Sequence, residues 1–267
     1  MKRIEKTFAE RRAKGGAALV AYLTAGDPSL EETQELVLTA ERAGADIIEV
    51  GVPFSDPTAD GPILQAAFRR ALNRGVTLTA IIDTVAKLRR RTEIPIVLFG
   101  YYNPIFRMGE ERFVRAASSA GADGILVVDL PHEEAAVLRR HTDSAGMDFI
   151  SLVTPTTPDD RLQRIAGKAS GFLYYVSITG VTGTAKPEIS SVQKDVARIR
   201  SVSRLPVAVG FGISDPAQAA LFSGFADAVV VGSAIAHLVD EESAGGKLHE
   251  RLAAYLHSLK EAIAPST

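Results

Sequence analysis

Short, almost continuously apolar runs recur along the chain, and each is followed by a segment with charged and apolar residues at helical spacing. Buried parallel strands are apolar on both faces and so lack a polar alternation. Several of the intervening segments end in Ala-Gly or Ser-Gly, which is typical of the end of a helix. The apolar runs predict eight strands, within residues 17–26, 45–54, 94–103, 122–131, 148–156, 171–180, 205–214 and 226–235.

Eight strand–helix units in 267 residues predict an α/β fold, a single (β/α)₈ TIM barrel that forms one domain over residues 1–267, because such a barrel takes about 250 residues. A doubly wound sheet is the competing arrangement, but no G-x-G-x-x-G sequence opens the first unit. We expect an extra N-terminal helix before the first strand and an extra helix after the second strand, in residues 64–75. Active sites of these barrels lie at the C-terminal ends of the strands.

The composition excludes several classes of protein. The formal net charge of -2 gives no basic excess for nucleic acid or anionic lipid. The chain has no cysteine, so disulfides, zinc–thiolate sites, iron–sulfur clusters and thiol nucleophiles are excluded. The first residues form a charged amphipathic segment without an apolar signal core, and no apolar run approaches the ~20 residues of a membrane helix. We therefore expect a cytoplasmic protein.

A glutamate lies near the end of the second predicted strand, in the sequence IIEVGVP (47–53). Because side chains alternate across a strand, Ile48 and Val50 should face the helices, and Glu49 should point into the barrel mouth. Partial desolvation raises the pKa of a carboxyl group toward values that suit general acid–base catalysis. The alternative is a buried ion pair with Arg or Lys, although no other strand end carries a cation.

The loop that follows, within VGVPFSDPTADGPILQ (50–65), contains three prolines and two aspartates. Proline restricts the backbone, so this loop can hold a carboxylate at a fixed place over the barrel mouth. Asp60 is the candidate. Aspartate before Gly-Pro is also typical of a helix N-cap, and Asp56 is also typical of a turn.

Small residues follow the last three strands. Backbone N–H groups at Gly212, Gly232 and Ser233 can approach an anion closely, aided by a helix N-terminus. A turn is the simpler interpretation of each glycine alone. The loop SITGVTGTAKP (177–187) is typical of a lid that covers a bound phosphate, and its composition also fits an ordinary flexible loop.

Large apolar residues at neighbouring strand ends could line the interior by the same alternation. Each alone fits an ordinary core, but beside a phosphate site they favour a phosphorylated ligand with a flat apolar part. The nine lysines lie outside the predicted strands, and the five histidines lack metal-ligand spacing. We expect no metal and no cofactor in this chain. For acid–base chemistry without them, the substrate itself must act as the electron sink, that is, accept the electrons of the bond that breaks. The apolar candidates are Tyr22, Phe99, Tyr101, Leu126, Leu152 and Tyr174.

Together these motifs resemble those of the tryptophan synthase alpha chain family, essentially from end to end. The stretch from Glu49 to Asp60 is highly specific to this family, whereas GFGIS alone is only weak evidence for it. The catalytic positions show no departure from the family pattern, and Tyr22 stands where phenylalanine is common. In order, the motifs are LTAGDP (23–28), AGADIIEVGVPFSDPTADGPILQ (43–65), YYNPIF (101–106), DLPHEE (129–134), SITGVTG (177–183), GFGIS (210–214) and VGSAI (231–235).

The resemblance implies a retro-aldol cleavage of indole-3-glycerol phosphate to indole and glyceraldehyde 3-phosphate. The indole ring would be the electron sink. Protonation at its C3 atom gives an indolenine, and the C–C bond breaks as the adjacent hydroxyl group loses its proton. Glu49 matches the principal acid–base residue of the family, and Asp60 matches the carboxylate that interacts with the indole N–H.

The resemblance also implies binding residues for both ends of the substrate. Thr182 matches a threonine of the lid. The six apolar candidates named above fall where the indole pocket of the family lies. The residues that match phosphate-binding positions are Gly183, Gly212, Gly232 and Ser233.

A partner is implied as well: a PLP-dependent beta chain in an αββα heterotetramer, in which the beta chain holds PLP and indole passes through a tunnel. Loops around residues 53–58, 103–109 and 131–134 match the contact surface. Three alternatives remain from sequence: another phosphate-binding barrel isomerase or synthase, a stand-alone lyase that releases indole, and a catalytically degenerate barrel kept as a regulatory partner.

Overall fold

The eight predicted strands close into one parallel barrel, in which each strand pairs with its neighbours in sequence and the eighth pairs with the first. The structure is a computed structural model that describes residues 1–176, 188–210, 212–242 and 245–264. The (β/α)₈ prediction is therefore confirmed. The strands are β1 Ala18–Thr24, β2 Ile47–Gly51, β3 Ile96–Gly100, β4 Gly124–Val127, β5 Asp148–Val153, β6 Leu173–Val176, β7 Val207–Gly210 and β8 Ala228–Val231.

Helices surround this barrel and follow the strands along the chain. Within the described residues, no helix is both long enough and apolar enough to span a membrane. The helices are α1 Arg3–Ala13, α2 Leu30–Arg42, α3 Pro62–Asn73, α4 Leu78–Leu88, α5 Tyr102–Met108, α6 Glu110–Ala120, α7 Ala136–Ser144, α8 Asp159–Ala166, α9 Ile189–Val202, α10 Pro216–Ser223, α11 Ser233–Glu242 and α12 Leu248–Ala262.

The alternation of side chains along each strand divides the core into two layers. On β2, Ile48 and Val50 belong to the large apolar cluster that packs against the helices, whereas Ile47 belongs to the cluster inside the barrel. Glu49 pairs in register with Tyr22 of β1 and Val97 of β3. The predicted division of β2 is confirmed, and it directs Glu49 into the barrel.

The two predicted extra helices are present. Helix α1 buries Ile4 and Phe8 in the inner cluster, and the ring of Phe8 lies 5.6 Å from that of Phe172, measured between centroids. This helix therefore contributes apolar side chains to the core inside the barrel. Helix α3 follows β2 and precedes α4, so the second strand is followed by two helices.

The expectation of a loop at residues 103–109 was wrong, because most of that segment is helix α5. Pro104 is the third residue of this helix, where its missing N–H costs no hydrogen bond. The Asp129 carboxylate accepts a hydrogen bond from the Tyr102 backbone N–H at 2.7 Å, at the helix N-terminus. A short helix that begins with Tyr-Asn-Pro gives too little periodicity to be separated from a loop.

Candidate active site

Glu49 is a buried carboxyl group without a partner. Its side chain is inaccessible to solvent, and neither carboxyl oxygen has a hydrogen-bond partner among the described residues. The alternative, a buried ion pair of Glu49 with Arg or Lys, does not occur among the described residues. Since a charge is poorly stabilised without water or a partner, burial raises the pKa of Glu49 to about 8. The carboxyl group can therefore be proton donor or acceptor near neutral pH.

Asp60 is also buried, but it has a defined partner. Its Oδ2 atom accepts a hydrogen bond from the Tyr101 hydroxyl group at 2.5 Å, and that hydroxyl oxygen accepts one from the Ala59 backbone N–H at 3.0 Å. The Phe54 ring stacks on Tyr101 with centroids 5.0 Å apart. Burial raises the pKa of Asp60, while the Tyr101 hydrogen bond opposes the increase.

The N-cap interpretation of Asp60 was wrong. Helix α3 begins at Pro62 and its N-cap is Gly61, without a side-chain cap. A turn closed by the Asp60 N–H and the Pro57 carbonyl (3.1 Å) leaves the Asp60 side chain free to face the cavity. Asp56 is exposed and accepts a hydrogen bond from Ser55 at 2.5 Å, as a turn residue does.

Both carboxyl groups line one cavity at the C-terminal ends of the strands, which we call the central cavity. It has a volume of about 280 Å³, and its wall is mainly apolar. This is close to the lower end of ligand pockets, roughly 300–1,000 Å³. The predicted site residues that line it are Tyr22, Glu49, Asp60, Phe99, Tyr174, Gly212, Gly232 and Ser233.

Two glycines on the strands make room for two tyrosines of the central cavity. A Cβ atom at Gly51 would lie 2.0 Å from the Tyr22 hydroxyl oxygen, and one at Gly210 would lie 2.2 Å from the Tyr174 hydroxyl oxygen. The Tyr22 ring also contacts Phe99 edge-on, with centroids 5.3 Å apart. Burial raises the pKa of Tyr22 and of Tyr174 well above the ordinary value. Both hydroxyl groups therefore remain neutral in a cavity with two acidic groups.

The opposite part of the cavity wall is suited to an anion. Gly232 directly precedes helix α11, whose first residue is Ser233, and Gly212 follows β7 with a φ of 79°. The N-terminus of a helix carries unpaired N–H groups and a partial positive charge, which favour a bound phosphate. The phosphate positions predicted after β7 and β8 therefore lie in one cavity with the two carboxyl groups.

Some predicted site residues lie elsewhere. Tyr101 is behind Asp60 and does not line the central cavity. Leu126 is fully buried in the inner cluster, and Leu152 lines a second cavity near the ends of β4 and β5. Thr182 and Gly183 lie outside the described residues.

Sequence reasoning missed five apolar residues, one serine and one histidine of the cavity wall. His237 lies one helical turn after Ser233, so the spacing of α11 could have revealed it. Ile63 is 40% exposed in the first turn of α3, directly after the loop of Asp60. The missed residues are Ile63, Leu64, Ile213, Ser214, Val230, Ala234 and His237.

Comparison with known proteins identifies the family of the chain. Residues 8–264 match the family model of the tryptophan synthase alpha chain. The chain is 51% identical over 264 residues to the tryptophan synthase alpha chain of Geotalea daltonii, covering 99% of this chain and 100% of the relative.

Solved structures show the same similarity. The tryptophan synthase subunit alpha of Legionella pneumophila str. Paris superposes with a TM-score of 0.92 at 38% identity, over 98% of each chain. A chain of the tryptophan synthase complex of Pyrococcus furiosus superposes with a TM-score of 0.83 at 38% identity, over 91% of this chain and 98% of that one. The chain thus belongs to the tryptophan synthase alpha chain family.

Proposed function

We propose that Glu49 and Asp60 are the catalytic pair with which this chain cleaves indole-3-glycerol phosphate. The chain is a lyase of the tryptophan synthase alpha family, and this retro-aldol reaction yields indole and glyceraldehyde 3-phosphate. The observation that carries the assignment is the unpartnered, fully buried Glu49 carboxyl group in the same cavity as Asp60.

Glu49 is the proton donor and acceptor of the proposed mechanism. With a pKa of about 8, it is largely protonated at neutral pH and can deliver a proton to the indole C3 atom. The carboxylate that remains can accept the proton of the adjacent glyceryl hydroxyl group as the C–C bond breaks. One buried group thereby serves as acid and then as base, without contact with bulk water.

Asp60 stabilises the indole ring in this mechanism. Protonation at C3 places positive charge on the ring, and a carboxylate near its N–H group favours that charged state. The Tyr101 hydrogen bond at 2.5 Å both orients Asp60 and favours its ionised form. The cavity wall of Tyr22, Phe99 and Tyr174 suits the flat ring, and the backbone at Gly212, Gly232 and Ser233 suits the phosphate.

The proposal includes a PLP-dependent beta chain as partner, an αββα assembly and a cytoplasmic location. Phe106, in the contact segment 103–109, is 65% exposed, and large exposed apolar side chains are enriched at interfaces. The Pyrococcus furiosus structure is that of a tryptophan synthase complex. Sedimentation of a mixture with a beta chain tests the assembly, and Phe106→Ser should weaken it.

The test of the catalytic pair is indole release from indole-3-glycerol phosphate by purified variants. Glu49→Gln and Asp60→Asn should each lower kcat by at least about 100-fold, as expected for general acid–base groups. Both should still bind glyceraldehyde 3-phosphate. The matched controls are Glu93→Gln and Asp83→Asn, which alter exposed carboxylates away from the cavity and should retain wild-type turnover.

Unchanged turnover in Glu49→Gln would overturn the assignment. Comparing release with and without a beta chain separates the remaining alternatives. Slow release that rises sharply with the partner supports the assembly, and fast release by the chain alone indicates a stand-alone indole lyase. No release by the folded wild-type chain under either condition would favour a different barrel enzyme or a regulatory subunit.

A further inference from the structure

A second cavity lies beside the ends of β4 and β5, which we call the outer cavity. It has a volume of about 300 Å³ and is bounded by residues of α7, α8 and the segment 127–132. Phe149 of β5 packs in the apolar layer between barrel and helices, and Ser151 follows on the same strand face. The described linings of the outer and central cavities share no residue, so the two cavities are distinct.

Ser151 places an unsatisfied polar atom in the wall of the outer cavity. The residue is 7% exposed, and its Oγ atom has no hydrogen-bond partner among the described residues. Buried hydroxyl groups are nearly always hydrogen-bonded, since an unpaired one costs free energy. An acceptor that entered the cavity would satisfy this hydroxyl group.

Arg139 places a buried cation in the same wall. It is 7% exposed, and no carboxylate of the described residues lies within ion-pair distance, so the Asp143 carboxylate on the same helix acts on it only from further away. One guanidinium nitrogen donates to the Lys168 carbonyl at 2.5 Å, and another lies 3.3 Å from His132 Nδ1.

The guanidinium group has capacity left for a ligand. It offers five N–H donors, of which these two contacts use only part. The group also lies 4.3 Å above the Phe149 ring, which fixes its plane. Buried charges are normally paired, so Arg139 is poised for an anion that arrives from outside the chain.

The other charged groups of the wall are already engaged. Asp129 accepts the hydrogen bond at the start of α5. Arg161 forms a two-point ion pair with Glu133, with both distances 3.1 Å. Asp129 is the one carboxylate in the described lining, and it forms no ion pair with Arg139.

We propose that the outer cavity binds a small organic anion, with its oxyanion group held by Arg139 and the Ser151 hydroxyl group. Liquid water occupies about 30 Å³ per molecule, so the cavity is much larger than a bare oxyanion. Leu130, Phe149 and Ile165 give it an apolar side for the body of the ligand. A carboxylate and a phosphate monoester both satisfy this chemistry.

Methyl-resolved NMR of the full chain tests the proposal with three probes: benzoate, phenyl phosphate and neutral benzamide. The δ1 methyl group of Ile165 reports on the outer cavity, whereas those of Ile63 and Ile213 report on the central cavity. We expect benzoate or phenyl phosphate to shift the Ile165 signal saturably. Benzamide should not, because it lacks the charge. The stronger of the two anions identifies the preferred oxyanion.

Ser151→Ala is the decisive variant, because removing an unpaired hydroxyl group should not destabilise the fold. We expect its melting temperature to stay unchanged or rise, while the affinity for the anion falls at least about tenfold. Arg139→Lys keeps the charge but loses the planar group, and should also weaken binding. Absence of an Ile165 response, an equal response to benzamide, or wild-type affinity in Ser151→Ala would each overturn the proposal.

Discussion

Replacing Glu49 with glutamine should make the folded chain more resistant to unfolding at alkaline pH than the wild type. Glutamine has nearly the shape of protonated glutamic acid but cannot ionise. In the wild type, the side chain is buried without a partner among the described residues, so its ionised form is unfavourable in the folded state. The comparison therefore isolates the free energy needed to ionise this one buried group.

The magnitude follows from the pKa. Burial raises the pKa of Glu49 from 4.5 to about 8, which at about 1.36 kcal/mol per pKa unit corresponds to about 5 kcal/mol. Below about pH 4.5, the carboxyl group of Glu49 is neutral in both the folded and the unfolded chain. As pH rises the unfolded chain ionises first, so stability falls until pH exceeds the folded-state pKa. Between pH 5 and pH 8 the loss amounts to about 3.5 kcal/mol.

Thermal unfolding of wild type and Glu49→Gln at several pH values between 5 and 8 measures this loss. For a chain of this size about 2 °C corresponds to 1 kcal/mol, so the advantage of the variant should grow by about 7 °C over that range. Burying the glutamine amide can cost stability, but this cost does not change with pH. It therefore does not affect the pH dependence of the difference between variant and wild type. In parallel, the infrared carbonyl stretch of a protonated carboxyl group should be visible at pH 7 and missing from the variant.

Glu93→Gln serves as the control. The Glu93 side chain is 79% exposed and pairs with Arg3 at 2.7 Å, and this pair lowers the pKa of Glu93. Its substitution should have a small effect of opposite sign, since exposed ion pairs contribute little. If the difference between Glu49→Gln and wild type does not change with pH, Glu49 is already ionised or hydrated, and the argument from burial is refuted.

Three further outcomes are expected from the same geometry. Gly51→Ala should lower the melting temperature, because its Cβ atom would lie 2.0 Å from the Tyr22 hydroxyl oxygen and overpacking typically costs about 1–3 kcal/mol; a wild-type melt contradicts this. Tyr101→Phe should slow indole release by about tenfold, since Asp60 loses its hydroxyl donor. An unchanged kcat would show that Tyr101 does not contribute to catalysis. The pH profile of kcat/KM should decline above about pH 8 as Glu49 loses its proton, and a flat profile to pH 9 would exclude it as the acid.

The barrel could be predicted because its signal is local and repeated. Each strand is a short apolar run, and each run is followed by a helical segment, so eight weak signals agree on one topology. Helix α5 lacked such support, because a helix of 7 residues shows barely two turns. The position of α1 against the inner cluster was also missed, although Ile4 and Phe8 are spaced four residues apart on one helix face.

Features of the site that depend on a single strand could be predicted from the sequence. Features that depend on contacts between different strands could not. The inward direction of Glu49 follows from alternation on β2 alone. The room that Gly51 provides for Tyr22 depends on the register between β2 and β1. This register cannot be predicted from the sequence of either strand alone. Likewise, the partner of Asp60 is Tyr101, 41 residues away, and only the closed barrel brings them together.

The difference between the two carboxyl groups is itself an argument for their roles. Glu49 has no described partner, and burial alone raises its pKa, so the neutral acid is its stable form near pH 7. Asp60 receives a hydrogen bond from Tyr101 that favours its ionised form against the effect of burial. Two carboxyl groups in one cavity, of which only one receives a hydrogen bond that favours ionisation, can divide proton transfer and charge stabilisation between them.

A free-energy comparison strengthens this conclusion. The cost of ionising Glu49 in the folded state, about 5 kcal/mol, is comparable with the lower end of the net stability of folded domains, about 5–15 kcal/mol. A methionine or leucine at the same place would remove that cost and fill the same interior. Because the carboxyl group has no structural partner among the described residues, packing gives no reason for its presence, whereas the proposed proton transfer does.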